Sequence, residues 1–368
     1  MNAVPLVDLA AQHRWIASEV EEGFAQVLAA GDFIGGKAVR LFEQEYAEFV
    51  GAAHCIGVGN GTDALEMSLR ALGVGAGDEV IIPANTFVAT AEAVVRAGAR
   101  PVLVDVDADA LLMDPALVEA ALTDRTKAVV PVDLYGQPAP IDLLPAVVAE
   151  RGISVLGDGA QSQGSQRHGR AAGSLATITA TSFYPGKNLG AYGDGGAVTT
   201  DDDELARRVR IMGAHGSAEK YKHTEFGFNS RLDTLQAVVL RAKLRRLAEW
   251  NEERRAAARR YDALLGDQEQ IRIPRTLPGN EHVWHLYVIQ VDRRDEVLAG
   301  LHEDQIGAGI HYPVPVHLQP AFSGLDYTVG TFPVTETSAD RILSLPIYPG
   351  ITADQQERVV DSLVRHLR

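Results

Sequence analysis

One lysine in a tight Pro/Gly frame, Thr181-Ser-Phe-Tyr-Pro-Gly-Lys187-Asn-Leu-Gly190, follows an acid at the end of an apolar run, Val155-Leu-Gly-Asp158-Gly-Ala-Gln161. Such a pair suits pyridoxal phosphate chemistry. The amine forms a Schiff base with the cofactor aldehyde. The acid keeps the pyridine nitrogen protonated, so the ring can draw electrons from a substrate carbanion. The chain has six lysines, Lys37, Lys127, Lys187, Lys220, Lys222 and Lys243, and its other cations are arginines, which cannot form that bond. Pro185-Gly186 before Lys187 and Gly190 after it mark an irregular segment directly behind an apolar strand. A surface-turn lysine fits the same local sequence, and Asp158 could instead cap the next helix. To react, the amine must be neutral, and burial moves it that way from its usual value of roughly 10.4.

Two further features belong with this pair. Gly57-Val-Gly59-Asn-Gly61-Thr62-Asp63-Ala-Leu65 runs from a strand into a helix. Its glycines permit close backbone approach, and a helix N-terminus offers free N–H groups to an anion. Thr62 stands where a dinucleotide-binding motif has its third glycine, so a single phosphate fits better, with Ser182 as an added hydroxyl. An ordinary strand–helix turn reads the same way. Phe87, in Pro83-Ala-Asn-Thr-Phe-Val-Ala-Thr90, opens a helix where its ring could stack on a flat cofactor or fill the core.

The elements that must position these residues follow from apolar periodicity. Runs at 54–58, 79–82, 101–105, 128–132 and 153–156 alternate with helical patterns near 62–72, 87–97, 115–122 and 141–151. Strands without polar alternation are buried on both faces, and helices between them mean a parallel α/β sheet with right-handed crossovers. Runs 177–183 and 196–200 add two strands, one of them antiparallel. Helices are expected at 15–30, ended by Gly31, and around 41–49. One long helix is expected from Leu232 to about Leu265. An α+β tail follows: a strand at 285–291, a helix at 293–304, a proline-rich loop at 311–320 and a final helix from Ala353. The division expected is a large domain over 1–245 and a small one over 246–368.

Composition narrows the function classes. A chain of 368 residues, 46% hydrophobic, can bury a large core. The net charge of −15, without a sustained basic run, argues against nucleic acid and against an anionic membrane as partners. The lone Cys55 lies in an apolar run, reads as core, and suits a reducing cytoplasm. No apolar run approaches the ~20 residues that span a bilayer, and no metal site is expected.

As an ordered set the residues resemble the DegT-type nucleotide-sugar aminotransferases, which are fold-type I pyridoxal phosphate enzymes. The resemblance rests on Asn60-Gly-Thr-Asp-Ala-Leu65, Thr86-Phe-Val-Ala-Thr90, Asp133-Leu-Tyr-Gly136, Asp158, Gln161 and Ser182 to Gly196. It continues in Asn229-Ser-Arg-Leu-Asp233 and His311-Tyr-Pro-Val-Pro-Val-His317. It implies a mostly parallel seven-stranded sheet in a large three-layer domain and a smaller α+β C-terminal domain. It implies Lys187 as the covalent lysine and acid/base, Asp158 on the pyridine nitrogen, Gln161 on the ring oxygen and Phe87 on the ring face. Gly61, Thr62, Asp63 and Ser182 would surround the phosphate, and Asn229 would reach the cofactor of a neighbouring subunit in a homodimer. Tyr184, Lys220, Tyr221, Arg231, His311, Tyr312 and His317 become candidates for the sugar and its diphosphate.

The stretch from Ser182 to Gly196 is similar to members acting at C-3, most of all on dTDP-linked 3-keto-6-deoxyhexoses in deoxysugar biosynthesis. Glutamate would be the amino donor and pyridoxamine phosphate the carrier form. UDP-linked 3-keto sugars, 4-keto sugars and a binding protein without turnover are the alternatives. Where relatives read Glu-Asp-Ala-Ala-Gln, this chain reads Gly157-Asp-Gly-Ala-Gln161. Gly159 is therefore expected to leave one ring face looser. Some relatives carry histidine at the lysine position and act as dehydratases; this chain keeps lysine.

Overall fold

The computed structural model describes residues 3–219 and 221–368. Two helices open the chain, α1 (Leu9–Ala30) and α2 (Lys37–Val50). Each is closed by a glycine in the left-handed region, Gly31 at φ 67° and Gly51 at φ 68°, where a Cβ would clash with its own backbone.

Strands and helices then alternate as β1 (His54–Val58), α3 (Gly61–Ala71), β2 (Glu79–Pro83), α4 (Val88–Arg96), β3 (Arg100–Val104), β4 (Thr126–Val129) and β5 (Ser154–Asp158). They are followed by β6 (Ile178–Ser182), β7 (Gly196–Thr200) and α5 (Asp203–Gly213). The helices expected near 115–122 and 141–151 shrink to Val118–Ala121 and Ala146–Glu150, each entered through a proline. The seven strands form one sheet in the order β1-β7-β6-β5-β4-β2-β3. Only β7 runs against its neighbours. All other pairings are parallel, as the unbroken apolar runs require.

Alternate residues of β2 show why this sheet needs cover on both faces. Val80 and Ile82 join a core with Leu65, Val94 and Val209 from α3, α4 and α5, whereas Ile81 joins Val118 and Val148 on the opposite side. All three β2 residues are fully buried, each contributing about 1.5–3 kcal/mol. The result is three layers.

The long helix expected from Leu232 is two helices, α6 (Thr234–Leu244) and α7 (Leu247–Leu265). No proline or glycine breaks it. Contacts from elsewhere do: Lys243 Nζ donates to the Gly190 carbonyl at 2.7 Å, and Arg245 and Arg246 both reach Glu19 of α1.

The remaining elements are β8 (Ile271–Arg272), β9 (Tyr287–Val291), α8 (Arg294–Glu303), β10 (Ile342–Leu345) and α9 (Ala353–Leu367). The three strands pair antiparallel in the order β8-β9-β10. They share a second core with Tyr261, Leu301 and Leu363. Neither β8 nor β10 was expected from the sequence. Two segments cross between the cores: Val4 packs into the second, while Phe322 and Phe332 return to the first. Fully buried Arg254 of α7 braces the second core, donating to the carbonyls of Trp284 (3.1 Å) and Ile347 (3.0 Å). No helix among the described residues is long and apolar enough to cross a membrane.

Candidate active site

In an open α/β sheet, ligands bind beyond the carboxyl ends of the strands. Here those ends gather the chemistry. β1 leads into Gly59-Asn60-Gly61, β2 into Thr86-Phe87, β5 ends on Asp158, and β6 ends on Ser182 five residues before Lys187. The antiparallel β7 begins beside them, with Gly196 opposite both Val58 and Ser182.

Asp158 is buried. Its Oδ2 accepts from the Thr90 hydroxyl at 2.8 Å and its Oδ1 from the Ala160 N–H at 3.2 Å. Burial raises its carboxyl above the ordinary range, opposed by those two hydrogen bonds and by the charge of Lys187. The Lys187 side chain is half-buried, with its amine end surrounded by protein. Burial lowers that amine to about 8, against the upward pull of Asp158. A lysine poised there is half neutral slightly above physiological pH, the condition for nucleophilic attack and proton transfer.

The anion cradle is built from α3. Asn60 caps the helix, its Oδ1 accepting from the Asp63 N–H at 2.8 Å. The N–H groups of Gly61 and Thr62 have no intrahelical acceptor. A Cβ on Gly61 would lie 2.6 Å from Ser182 Cβ, so only glycine leaves room between the helix start and that serine. The exposed Phe87 ring lies 5.1 Å from the Tyr312 ring, and Gln161 Nε2 donates to Tyr312 Oη at 3.2 Å.

The chain matches the DegT/DnrJ/EryC1/StrS aminotransferase family over residues 15–364. It belongs to that family. The erythromycin biosynthesis sensory transduction protein EryC1 of Saccharopolyspora erythraea is 45% identical over 98% of both chains. The dTDP-3-amino-3,4,6-trideoxy-alpha-D-glucose transaminase of Streptomyces venezuelae is 44% identical, over 98% of this chain and 95% of its own. The UDP-N-acetyl-3-dehydro-alpha-D-glucosamine 3-aminotransferase of Acidithiobacillus ferrooxidans is also 44% identical, over 100% and 98%. Among solved structures, S. venezuelae DesV in complex with a ketimine intermediate superposes with a TM-score of 0.98 at 43% identity, covering 100% of both chains.

A DegT-family aminotransferase uses pyridoxal phosphate. The residues in place fit it: a helix N-terminus and serine for a phosphate, a buried carboxylate for a pyridinium, an aromatic face and a lowered lysine. His311 also belongs to the cleft of this aminotransferase. Its Nδ1 pairs with Ser344 Oγ at 2.8 Å, and burial, then the Lys187 charge, lower it to about 4.

Other candidates sit differently. The Asp63 carboxylate accepts from the Ser230 hydroxyl at 2.7 Å, so within the chain it holds the 229–231 segment against α3. Asn229 and Arg231 are exposed and hydrogen-bonded to each other at 2.5 Å. Tyr184 and Tyr221 are exposed as well, and Lys220 lies outside the described residues. His317 does not reach the cleft. Its side chain is fully buried, with Nε2 at 3.0 Å from Glu336 and its ring edge-on to Phe332.

Gly159 also departs from expectation. A Cβ there would meet Thr179 Cγ2 of β6 at 3.0 Å and Ser162 Oγ of the turn after β5 at 3.3 Å. Gly159→Ala is expected to lower thermal stability modestly, by about 1 kcal/mol, and to leave the cofactor absorbance unchanged; a shifted band would show that the residue touches the ring.

Thr90 and His285 were not singled out from the sequence. Thr90 had a signal, since it closes the Thr86-Phe-Val-Ala-Thr90 stretch in the first turn of α4. His285 had none. Its burial and the nearby Lys187 charge keep it neutral well below its usual range.

Proposed function

We propose that this aminotransferase aminates C-3 of a nucleotide-linked keto sugar, first of all a dTDP-linked 3-keto-6-deoxy sugar, with glutamate as donor. The lowered Lys187 amine and the buried Asp158 carboxylate carry the reading, and the S. venezuelae relative's name supports the substrate. When bound, pyridoxal phosphate supplies the electron sink that both half-reactions need and carries the amino group between them as pyridoxamine phosphate.

The chain's residues do the rest. With the donor's amine taking its place on the cofactor, Lys187 Nζ would be free to act as base and acid, carrying a proton between the two carbons that flank the shared nitrogen. Asp158, with Thr90 on Oδ2, holds the counter-charge that keeps the pyridine nitrogen protonated. Gln161, hydrogen-bonded to Tyr312, would offer a polar atom to the ring oxygen, and Phe87, beside the Tyr312 ring, would cover one face. Tyr184, His311 and Arg231 are assigned to the sugar and its diphosphate, with Lys220 and Tyr221 beside them.

A UDP-linked 3-keto sugar is the second reading, favoured by the A. ferrooxidans relative's name. Reactions with dTDP- and UDP-linked 3-keto and 4-keto sugars, scored by product mass, separate the two. Amination of the dTDP-linked 3-keto sugar alone is the expected result. Product from the 4-keto sugars only would overturn the C-3 assignment.

The working unit of this proposal is a homodimer in the cytoplasm. The exposure of Phe226, Tyr221, Asn229 and Arg231 on one side of the chain supports a partner surface there, and the single buried thiol Cys55 suits a reducing compartment. With Asn229 acting in the neighbouring site, dilution should release cofactor in step with dissociation into monomers. A fully active monomer in ultracentrifugation would refute the shared site.

A further inference from the structure

Asn188 follows Lys187 directly, and its side chain is buried. Its Nδ2 donates to the Val283 carbonyl at 3.0 Å and to Asn251 Oδ1 at 2.9 Å, while its Oδ1 faces His285 Nδ1 at 3.3 Å. Asn251 lies in the second turn of α7 and is buried too. Its Nδ2 donates to the Gln163 carbonyl at 2.9 Å. The Gln163 amide in turn donates to the Ala160 carbonyl, the Thr181 hydroxyl and the Ser182 carbonyl.

The amide orientations are fixed. A backbone carbonyl only accepts, so Val283 sets which end of Asn188 is Nδ2 and Gln163 sets the same for Asn251. Both assignments agree on one bond between the two side chains. The backbone makes room for it: Gly164 has φ +89°, and a Cβ there would stand 2.6 Å from Asn251 Nδ2. One side chain therefore holds two loops, that of Lys187 through Asn188 and that of Asp158 and Gln161 through Gln163.

We propose that Asn251 is a positioning residue that sets the placement of Lys187 against Asp158 by bridging Asn188 to the Gln163 carbonyl. It touches no reacting atom. Losing the bridge leaves a buried donor and a buried carbonyl unpaired on either side, and the two loops can then part. Lys187 then changes its place relative both to the protein that buries it and to Asp158, so its amine no longer titrates at its present value of about 8. This inference rests on the lysine chemistry of the family and not on the identity of the sugar.

The test uses Asn251→Ser and Asn251→Asp in the full-length protein. In cofactor-free samples, 13C-dimethyl-lysine NMR follows the Lys187 titration; in loaded samples, the visible band is titrated with pH. For Asn251→Ser we expect the Lys187 midpoint to move by about half a unit and kcat to drop about tenfold, with KM for the nucleotide sugar within about twofold. For Asn251→Asp, which keeps the acceptor but sets an oxygen against the Gln163 carbonyl, the kcat loss should be at least as large.

A lower melting temperature with unchanged midpoint and kcat would overturn the proposal and leave Asn251 as scaffold. If neither variant folds, Asn188→Ser breaks the same bridge from its other end and is read by the same two titrations. Failure of the parent protein to attach cofactor at Lys187 would remove the aminotransferase chemistry itself, an outcome distinct from any effect confined to the variants.

Discussion

Lys187→Ala protein is expected to bind pyridoxal phosphate without a covalent bond and to lose at least about 1,000-fold in kcat/KM, the upper part of what a positioned acid/base supplies. Borohydride reduction followed by peptide mapping should tag position 187 in the parent and no residue in the variant. The pH course is a sharper check. The amine of the cofactor-free chain stands at about 8 because burial disfavours its charged form. Only the neutral amine attacks an aldehyde. The rate of covalent capture should therefore rise about tenfold per pH unit below 8 and level off above it. A rate that keeps climbing to pH 10 would mean an exposed, ordinary lysine and would sink the assignment.

Asp158→Asn should cost turnover about 100-fold or more, the scale of removing one fixed electrostatic partner from a buried site. It should also move Lys187. The carboxylate favours the ammonium, so its removal lowers the lysine further below about 8, and the capture curve should slide to lower pH. Stability runs the other way. The folded-state pKa of Asp158 is raised, so its stabilising contribution is complete below the unfolded carboxylate value and is lost as pH climbs through the folded one. At pH 7, above the unfolded carboxylate value, this raised pKa is a net cost to folding. Cofactor-free Asp158→Asn protein should then melt no lower than the parent at pH 7 while losing activity. A variant that is both inactive and unstable would point to a structural role for the carboxylate. An unmoved capture curve would show that Asp158 does not act on Lys187.

Much of this site was legible because its parts obey local rules. A strand buried on both faces is an unbroken apolar run, a glycine beyond a helix shows in sequence, and a polar residue at a strand's carboxyl end faces the ligand side. That is why the strand ending at Asp158, the Gly59–Gly61 turn and the irregular segment around Lys187 fall where the sequence put them. The misreadings have a common origin in contacts from distant segments. The break after Leu244 has no helix breaker and follows from ties to Gly190 and Glu19. His317 lies in a motif of cleft residues, yet the return of Glu336 and Phe332 onto the first core buries it.

By itself, then, the sequence determined the parallel α/β sheet, the positions of its strand ends and the lysine and acid placed there. Hydrophobic periodicity and turn chemistry act over a few residues, so they survive in a string of letters. The tertiary structure alone decided which side chains tune that pair: Thr90 lies 68 positions from Asp158 and Asn188 lies 63 from Asn251. Such partners meet only once the strand order β6-β5-β4-β2 has folded distant segments together. A buried hydrogen bond depends on atoms within about 3 Å, a distance that spacing along the chain does not encode.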